Sequence, residues 1–380
     1  MRIAVVTSFV RSDGFNGEDF AVRDQAELLT QAGHEVHLVS RSTDDRMRER
    51  LYPVKAAVTV ATGRGSSPLT EIELINPDVV HVHNTFPNLG RAWAAHLRVP
   101  LVATLQSMRF TCANGSMARN GTSCEDCLTA PLSGIRHGCY DGRIRSVPYA
   151  INTVRRSRDP LLRRADRIIV FNHHARDVVV RLGYDPDRVV ISTNTAAVSA
   201  PGLVAPGERR GWVLASRLIP EKGVVRLLEQ WPAGIPLEVF GDGPSRDEAQ
   251  RVAPVGVTFH GTVGRAEVAR AMARAIGVVI PTMRLEGLPL VYVEALAAGC
   301  PVLAFAPNAV ADVVTHDGTG AVTTWNQPLT SALHRAEESF DALRAQCQSV
   351  FASRYAPDAL VASLEGIYRA AAVTHSSRFG

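Results

Sequence analysis

Residues 278–305 read Val278-Val-Ile-Pro281-Thr-Met-Arg-Leu-Glu286-Gly287-Leu288-Pro289-Leu290-Val-Tyr-Val-Glu294-Ala-Leu-Ala-Ala-Gly299-Cys-Pro301-Val302-Leu-Ala-Phe305. A β-branched run, Val278–Ile280, ends at Pro281. A loop holding Glu286 and Gly287 follows, and a helix starts near Pro289, a residue suited to a first helical turn. Gly299 and Pro301 break that helix, and Val302–Phe305 is a second strand. Glu294 lies inside the most apolar stretch of the chain. With the breakers after it, this stretch reads as a buried helix and strand, not as a membrane span. Strand, helix, strand in this spacing is a right-handed crossover in a parallel sheet.

The same alternation runs along nearly the whole chain. Ile3–Thr7, Glu35–Ser40, Ala57–Val60, Val79–His83, Leu101–Leu105, Ile168–Phe171 and Val189–Ser192 read as one set of strands. Trp212–Ala215, Leu237–Phe240, Val257–His260, Val278–Ile280 and Val302–Phe305 read as a second. Runs this uniformly apolar suit strands covered on both faces. Asn16 to Gly33 is a helix pattern with Glu18 and Asp19 in its first turn and Gly33 at its end. Thr195–Gly211, rich in Ala, Pro and Gly, reads as a linker. The expected organisation is an α/β chain with two doubly wound parallel-sheet domains, 1–195 and 196–355, and a C-terminal helix within 356–380 that crosses back to the first. Leu360, Leu364, Ile367 and Tyr368 mark that helix's apolar face.

Composition sets the outer limits. The 380 residues suit two cores better than one. Hydrophobic residues make up 46% and charged residues 21%, as in a globular protein. The net charge of +4 makes no case for nucleic acid. The N-terminal run Met1–Val10 is too short and too broken for a secretory signal, so the cytoplasm is the expected compartment. The first 195 residues carry 25 Arg and Lys against 20 Asp and Glu, and the remainder 16 against 17. The basic excess concentrates in Arg143–Arg167. A solvated helix face explains it; an anionic acceptor or an acidic membrane surface is the sharper reading.

Ligands of open parallel sheets bind beyond the carboxyl ends of the strands. A helix start there offers backbone N–H groups and a positive dipole end to a diphosphate. Gly287 lets the backbone come close. Glu294, among apolar neighbours, needs a partner such as a sugar or ribose diol.

Glu286 and Glu294 resemble the E-x7-E pair of the retaining glycosyltransferases of family 4 (glycosyl transferases group 1), whose fold, GT-B, sets two Rossmann-like domains facing a central cleft. Further segments are similar in the right order: Gly17-Glu-Asp19, Gly33-His-Glu-Val36, Leu214-Ala-Ser-Arg217-Leu-Ile-Pro-Glu-Lys222-Gly223, Phe240-Gly241-Asp-Gly-Pro244 and Phe259-His-Gly-Thr-Val263. The resemblance implies transfer of a hexose or N-acetylhexosamine from a nucleotide-diphosphate sugar to a hydroxyl acceptor in a glycan, a lipid-linked sugar or a natural product. UDP is the first expectation for the donor and GDP the second. It implies that Arg217 and Lys222 hold the diphosphate without a metal and that Glu286 binds donor-sugar hydroxyls. Glu294 would bind the ribose, and Gly17, Gly241, Val263, Gly287, Leu288, Pro289 and Leu290 would line the donor site.

Two features depart from that pattern or add to it. Gln106, in Thr104-Leu-Gln-Ser-Met-Arg109, stands where many relatives carry a histidine near the reaction centre. Glutamine hydrogen-bonds but cannot titrate. A non-catalytic relative that binds a nucleotide sugar or a protein partner is therefore the alternative. His81 and His83, at the end of a strand, read as scaffold residues more readily than as cleft residues. Within an insertion of about 109–142, Cys112, Cys124, Cys127 and Cys139 read C-x11-C-x2-C-x11-C, and a structural zinc is one expectation for them. Scattered buried thiols are the other, as for Cys300 and Cys347.

Overall fold

A computed structural model describes residues 1–12, 17–120, 122–193, 209–284 and 287–379. The chain divides into two compact units. The first comprises Met1–Met117, Cys124–Thr193 and Leu360–Gly380; the second comprises Ala118–Ser123 and Asn194–Ala359. Most of the expected linker, 195–208, and the expected helix start at Asn16 lie outside the described residues.

The first unit is built on six parallel strands: β1 (Arg2–Phe9), β2 (Glu35–Ser42), β3 (Val79–Val82), β4 (Leu101–Thr104), β5 (Arg167–Val170) and β6 (Val189–Ile191). Their order is β2-β1-β3-β4-β5-β6. β1, β3 and β4 are buried almost throughout, which is why they read as unbroken apolar runs. The helix Gly17–Gln31 follows β1 and ends on Gly33, whose φ of +86° closes it with His34 N donating to Leu29 O at 3.0 Å.

One expected strand is a helix. Ala57–Val60 lies inside the helix Tyr52–Thr62. Its alternation of small and branched residues imitates a strand. The flanks decide otherwise: Pro53 occupies the first turn and Gly63, at φ +70°, ends the helix. Burial at Tyr52, Thr59, Val60 and Ala61 follows the helical period.

The second unit repeats the architecture with β7 (Trp212–Ala215), β8 (Leu237–Phe240), β9 (Val257–Gly261), β10 (Gly277–Ile280), β11 (Val302–Ala306) and β12 (Gly320–Thr324). All are parallel, in the order β9-β8-β7-β10-β11-β12. β12 carries two threonines and half-buried positions, which hid it from the sequence pattern. Trp212, Trp231, Leu333 and Phe340 lie in its core. Trp212 meets Phe340 edge-on at 5.7 Å.

The helix Leu329–Val350 carries Arg344, which is buried. Its guanidinium donates to Gly299 O and to Ile276 O, each at 3.1 Å, and pairs with Asp341 at 3.2 Å. It therefore holds the entry to β10 and the turn after the helix Leu290–Ala297 together. The last helix, Pro357–Phe379, buries Leu360, Leu364, Tyr368 and Ala371. Within the first unit it meets β3 through Tyr368, whose hydroxyl lies 2.9 Å from His81 Nδ1, and Arg378 pairs with buried Asp166 at 3.1 Å. Among the described residues, no helix is long and apolar enough to cross a membrane.

Replacing Arg344 by Met leaves several buried carbonyls without a donor. The expected loss is about 3 kcal/mol of stability, checked as a lower urea midpoint of the full chain.

Candidate active site

Counted within the second unit, the strand order is three-two-one-four-five-six, so the direction of winding reverses between β7 and β10. A crevice opens at such a switch point, beyond the carboxyl ends of the two strands. The segments that leave these ends are 216–223 and 281–289.

Two glycines let the segments approach. At Gly223 φ is +74°, and a Cβ there would stand 2.2 Å from Pro281 O. At Gly241, φ +117°, a Cβ would stand 1.9 Å from Ser216 O. Only glycine meets both demands, the left-handed backbone and the contact. The approach is fastened by Met283 N donating to Glu221 O at 2.9 Å, Ser216 N to Phe240 O at 3.0 Å and Leu218 N to Asp242 O at 2.9 Å. Asn308, buried, donates through Nδ2 to Thr282 O at 2.7 Å and caps its own helix by accepting from Ala311 N at 2.9 Å.

On this base Arg217 is exposed on the turn after β7, and Lys222 is half-buried one short helical turn later. Gly241 follows β8, and Val263 follows β9. Leu288 is buried, and Pro289 is the residue before the helix Leu290–Ala297, at φ −70° and ψ 138°. Arg217, Lys222, Gly241, Val263 and Gly287–Leu290 thus leave the same edge of one sheet. Glu286 lies outside the described residues.

Glu294 sits in that helix, largely buried, and its carboxylate lies 3.4 Å from the Arg265 guanidinium. Arg265 opens the preceding helix, Arg265–Arg274. It was missed in the sequence; its place two residues after Val263, at a helix start beside a strand end, is the signal that could have found it. Arg246 pairs with Asp242 at 2.7 Å on the β8 turn.

Gly17 and Gln106 belong to the first unit. Gly17 is exposed at the head of its helix. Gln106, after β4, donates from its amide to His83 Nδ1 at 3.0 Å. His81 and His83 are buried, with ring centroids 4.2 Å apart. Burial holds His83 down to about 3, and burial and then the neighbouring ring hold His81 well below the ordinary value. Both are therefore neutral. The amide end of Gln25 stands 3.2 Å from His83 Nε2 and 3.1 Å from His81 Nδ1. A neutral ring has one N–H. His81 reaches the Tyr368 hydroxyl through Nδ1 at 2.9 Å and Thr104 Oγ1 through Nε2 at 2.7 Å. Both histidines are satisfied scaffold.

Gln106 also borders a pocket of about 40 Å3 lined by His83, Phe86, Arg91, Arg109 and Asp159 among others. Arg91 and Asp159, both buried, pair at 2.7 Å. Asp159 also accepts from Leu161 N at 3.0 Å and Leu162 N at 3.2 Å.

The four-cysteine zinc set is not assembled. Cys112 turns its thiol onto Asn114 Oδ1 at 3.0 Å. Burial first, and then neighbouring Cys112, push the Cys127 thiol up to about 11. Among the described residues, the ligand atoms that meet within 4.8 Å are those of Cys124, Asp126 and His137. Cys300 and Cys347 are buried, their thiols pushed up to about 12 by burial.

Residues 16–195 match the family described as Glycosyltransferase Family 4, and residues 209–337 match that described as Glycosyl transferases group 1. A GDP-mannose-dependent alpha-(1-6)-phosphatidylinositol monomannoside mannosyltransferase of Mycobacterium tuberculosis is 34% identical over 133 residues, 30% of this chain and 34% of that protein. The chain thus spans about a third of that relative's length. An exopolysaccharide phosphotransferase of Streptomyces coelicolor is 27% identical over 171 residues, 41% of this chain and 18% of that protein. Among solved structures, Anabaena Alr3699/HepE in complex with UDP superposes with a TM-score of 0.61 at 16% identity, covering 96% of this chain and 99% of that one. Sucrose-phosphate synthase from Thermosynechococcus elongatus gives 0.65 at 17%, covering 97% and 98%. Identities this low speak to the fold alone.

The neutral His83 sets a pH dependence. Its folded pKa lies below the unfolded 6.5, so the unfolded chain takes up the proton first and stability falls as pH drops from 6.5 toward about 3. The slope from this ring is about 1.4 kcal/mol per pH unit. Urea midpoints at pH 7 and pH 5 should differ less in His83→Gln than in the parent chain.

Proposed function

The chain belongs to glycosyltransferase family 4, the glycosyl transferases of group 1 with the GT-B fold, and on that premise we propose that it moves a hexose from a nucleotide-diphosphate donor to a hydroxyl acceptor with retention of configuration. The observation that carries the site is the switch point between β7 and β10, where Gly223 lies under Pro281 O and brings the Arg217–Lys222 turn beside the helix that starts after Pro289.

In this reading Arg217, Lys222 and the start of the helix Leu290–Ala297 receive the diphosphate. Negative charge grows on the leaving group as the glycosidic bond breaks through an oxocarbenium-like state. Cations and backbone N–H groups set in advance around that charge stabilise it without a metal ion. Glu286 takes the donor-sugar hydroxyls. Glu294 takes the ribose diol, and Arg265, 3.4 Å away, holds its carboxylate in place. Gly241 and Val263 shape the nucleoside side, and Gly17 and Gln106 belong to the reacting side. Gln106 hydrogen-bonds but moves no proton.

The relatives divide on the base. UDP, the first expectation, fits the HepE complex; GDP-mannose fits the mannosyltransferase. The second likeness carries 34% identity over 30% of this chain, against 16% over 96% for the first, and we place a GDP-linked hexose first. A second reading, a non-catalytic relative that binds the nucleotide sugar, rests on Gln106 and its bond to His83.

Nucleoside diphosphates and their sugars, screened by thermal shift, separate these readings. GDP at 100 times its dissociation constant should add about 2.7 kcal/mol of stability, with a smaller response to UDP; the reverse order overturns the choice of base. Lys222→Ala and Glu286→Ala should each lower nucleotide release from the sugar donor about 100-fold with the melting temperature kept. Release at the parent rate by both would overturn the site. Stabilisation without release by the parent chain would support the non-catalytic reading.

A further inference from the structure

The helix Arg143–Arg155 lies in the first unit, away from any role in the donor site. Its inward face carries Ser146, Tyr149, Ala150, Asn152 and Thr153. Its outward face is not polar. Ile144, Val147, Ile151 and Val154 recur at the helical period, and they are exposed to between 37% and 87%. Tyr149 and Val60 share a small buried cluster with Ala113, which packs this helix against Tyr52–Thr62.

That neighbour does the same. It buries Tyr52, Thr59 and Val60 while Val54 and Val58 stay outside, more than half exposed. Leu51, just ahead of it, is 64% exposed and sits at φ +61°, a left-handed conformation that a leucine rarely adopts. Single apolar residues on a surface need no explanation. Two regular rows on helices packed against each other do.

Charge says what covers them. Neither helix contains an Asp or Glu. Lys55, Arg143, Arg145 and Arg155 are exposed on them, two of these paired with acids outside the helices, Lys55 with Glu49 and Arg145 with Asp141. Exposed Arg48 and Arg50 precede the first helix, and Arg158 follows the second. Aliphatic rows bordered by cations match the boundary between acyl chains and anionic headgroups. Protein interfaces instead concentrate aromatic anchors, and these rows hold none.

We propose that this two-helix face seats the protein on an anionic lipid bilayer, with the apolar rows entering the acyl boundary and the arginines meeting the headgroups. The attachment is peripheral and reversible. It is independent of the donor reading, since none of its residues is assigned to the donor site.

The full-length chain is sedimented with vesicles of phosphatidylcholine containing roughly 30% phosphatidylglycerol, and with vesicles of phosphatidylcholine alone. The bound-to-free ratio should be about 10-fold higher on the anionic vesicles and fall about 10-fold in 0.5 M salt. The double variant Ile144→Ser/Ile151→Ser should lose a similar factor while keeping its melting temperature, because both side chains face solvent. If that variant folds poorly, Arg143→Glu/Arg155→Glu gives the same reading through charge. Equal sedimentation of parent and variant chains overturns the proposal. So does absence of binding to either vesicle, or a dimer of the parent chain that the double variant dissolves without any vesicle binding. Nucleotide release in the absence of lipid should be unchanged in both variants, which keeps this result separate from the donor site.

Discussion

A carbonyl oxygen with no room above it organises the second unit. Pro281 O, where the chain leaves β10, stands 2.2 Å from the place a side chain at position 223 would begin. Only hydrogen fits there, so residue 223 is glycine, and its left-handed backbone turns the β7 segment down against the β10 segment. Glu221 and Met283 are then close enough to bond. The connections that follow β7 and β10 wind in opposite directions, so a crevice opens beyond their ends. Two cationic side chains and a helix start share the edge of that space, brought there by a backbone contact and not by any attraction between them.

Packing away from the site keeps this arrangement in register. Arg344 gathers the entry of β10 and the exit of the following helix from below, and Asn308 ties the loop after β10 from the side. Arg344 is among the most buried polar residues of the unit, and its Asp341 partner is exposed. It satisfies backbone carbonyls that would otherwise be stranded at a strand end and a helix end. The machinery that positions the site is therefore polar and buried, while the groups assigned to the diphosphate are more open to solvent.

The first unit handles polarity in another way. Its sheet carries two neutral histidines joined through Gln25 and reaching Tyr368, Thr104 and Gln106. Burial removes their charge, and each polar atom in turn finds a partner. Gln106 is one end of this network. Its orientation is set by His83, and its chemistry is limited to hydrogen bonding. The same unit turns two apolar helix rows outward, a cost that folding alone does not require.

Eleven of the twelve strands in the two large sheets were legible, most of them because a parallel strand buried on both faces writes an unbroken apolar run. β12 was not, since its threonines and half-covered positions blur that run. Ala57–Val60 was misread because a short branched run is ambiguous, and only Pro53 and Gly63 at its flanks settle it as helix. The turn 217–223, Gly241, Val263 and Gly287–Leu290 were named by their resemblance to family motifs, because such turn motifs are local in the chain. Arg265 against Glu294, Arg344 under the sheet and the bond from Gln106 to His83 were not, since each joins segments far apart in the chain. By itself, then, the sequence determined the alternation of strands and helices and the residue types at the strand ends, which depend on neighbours a few positions away. The tertiary structure alone decided which strand ends lie side by side, which buried charges are paired and which apolar rows are left facing outward, because those depend on how distant surfaces meet.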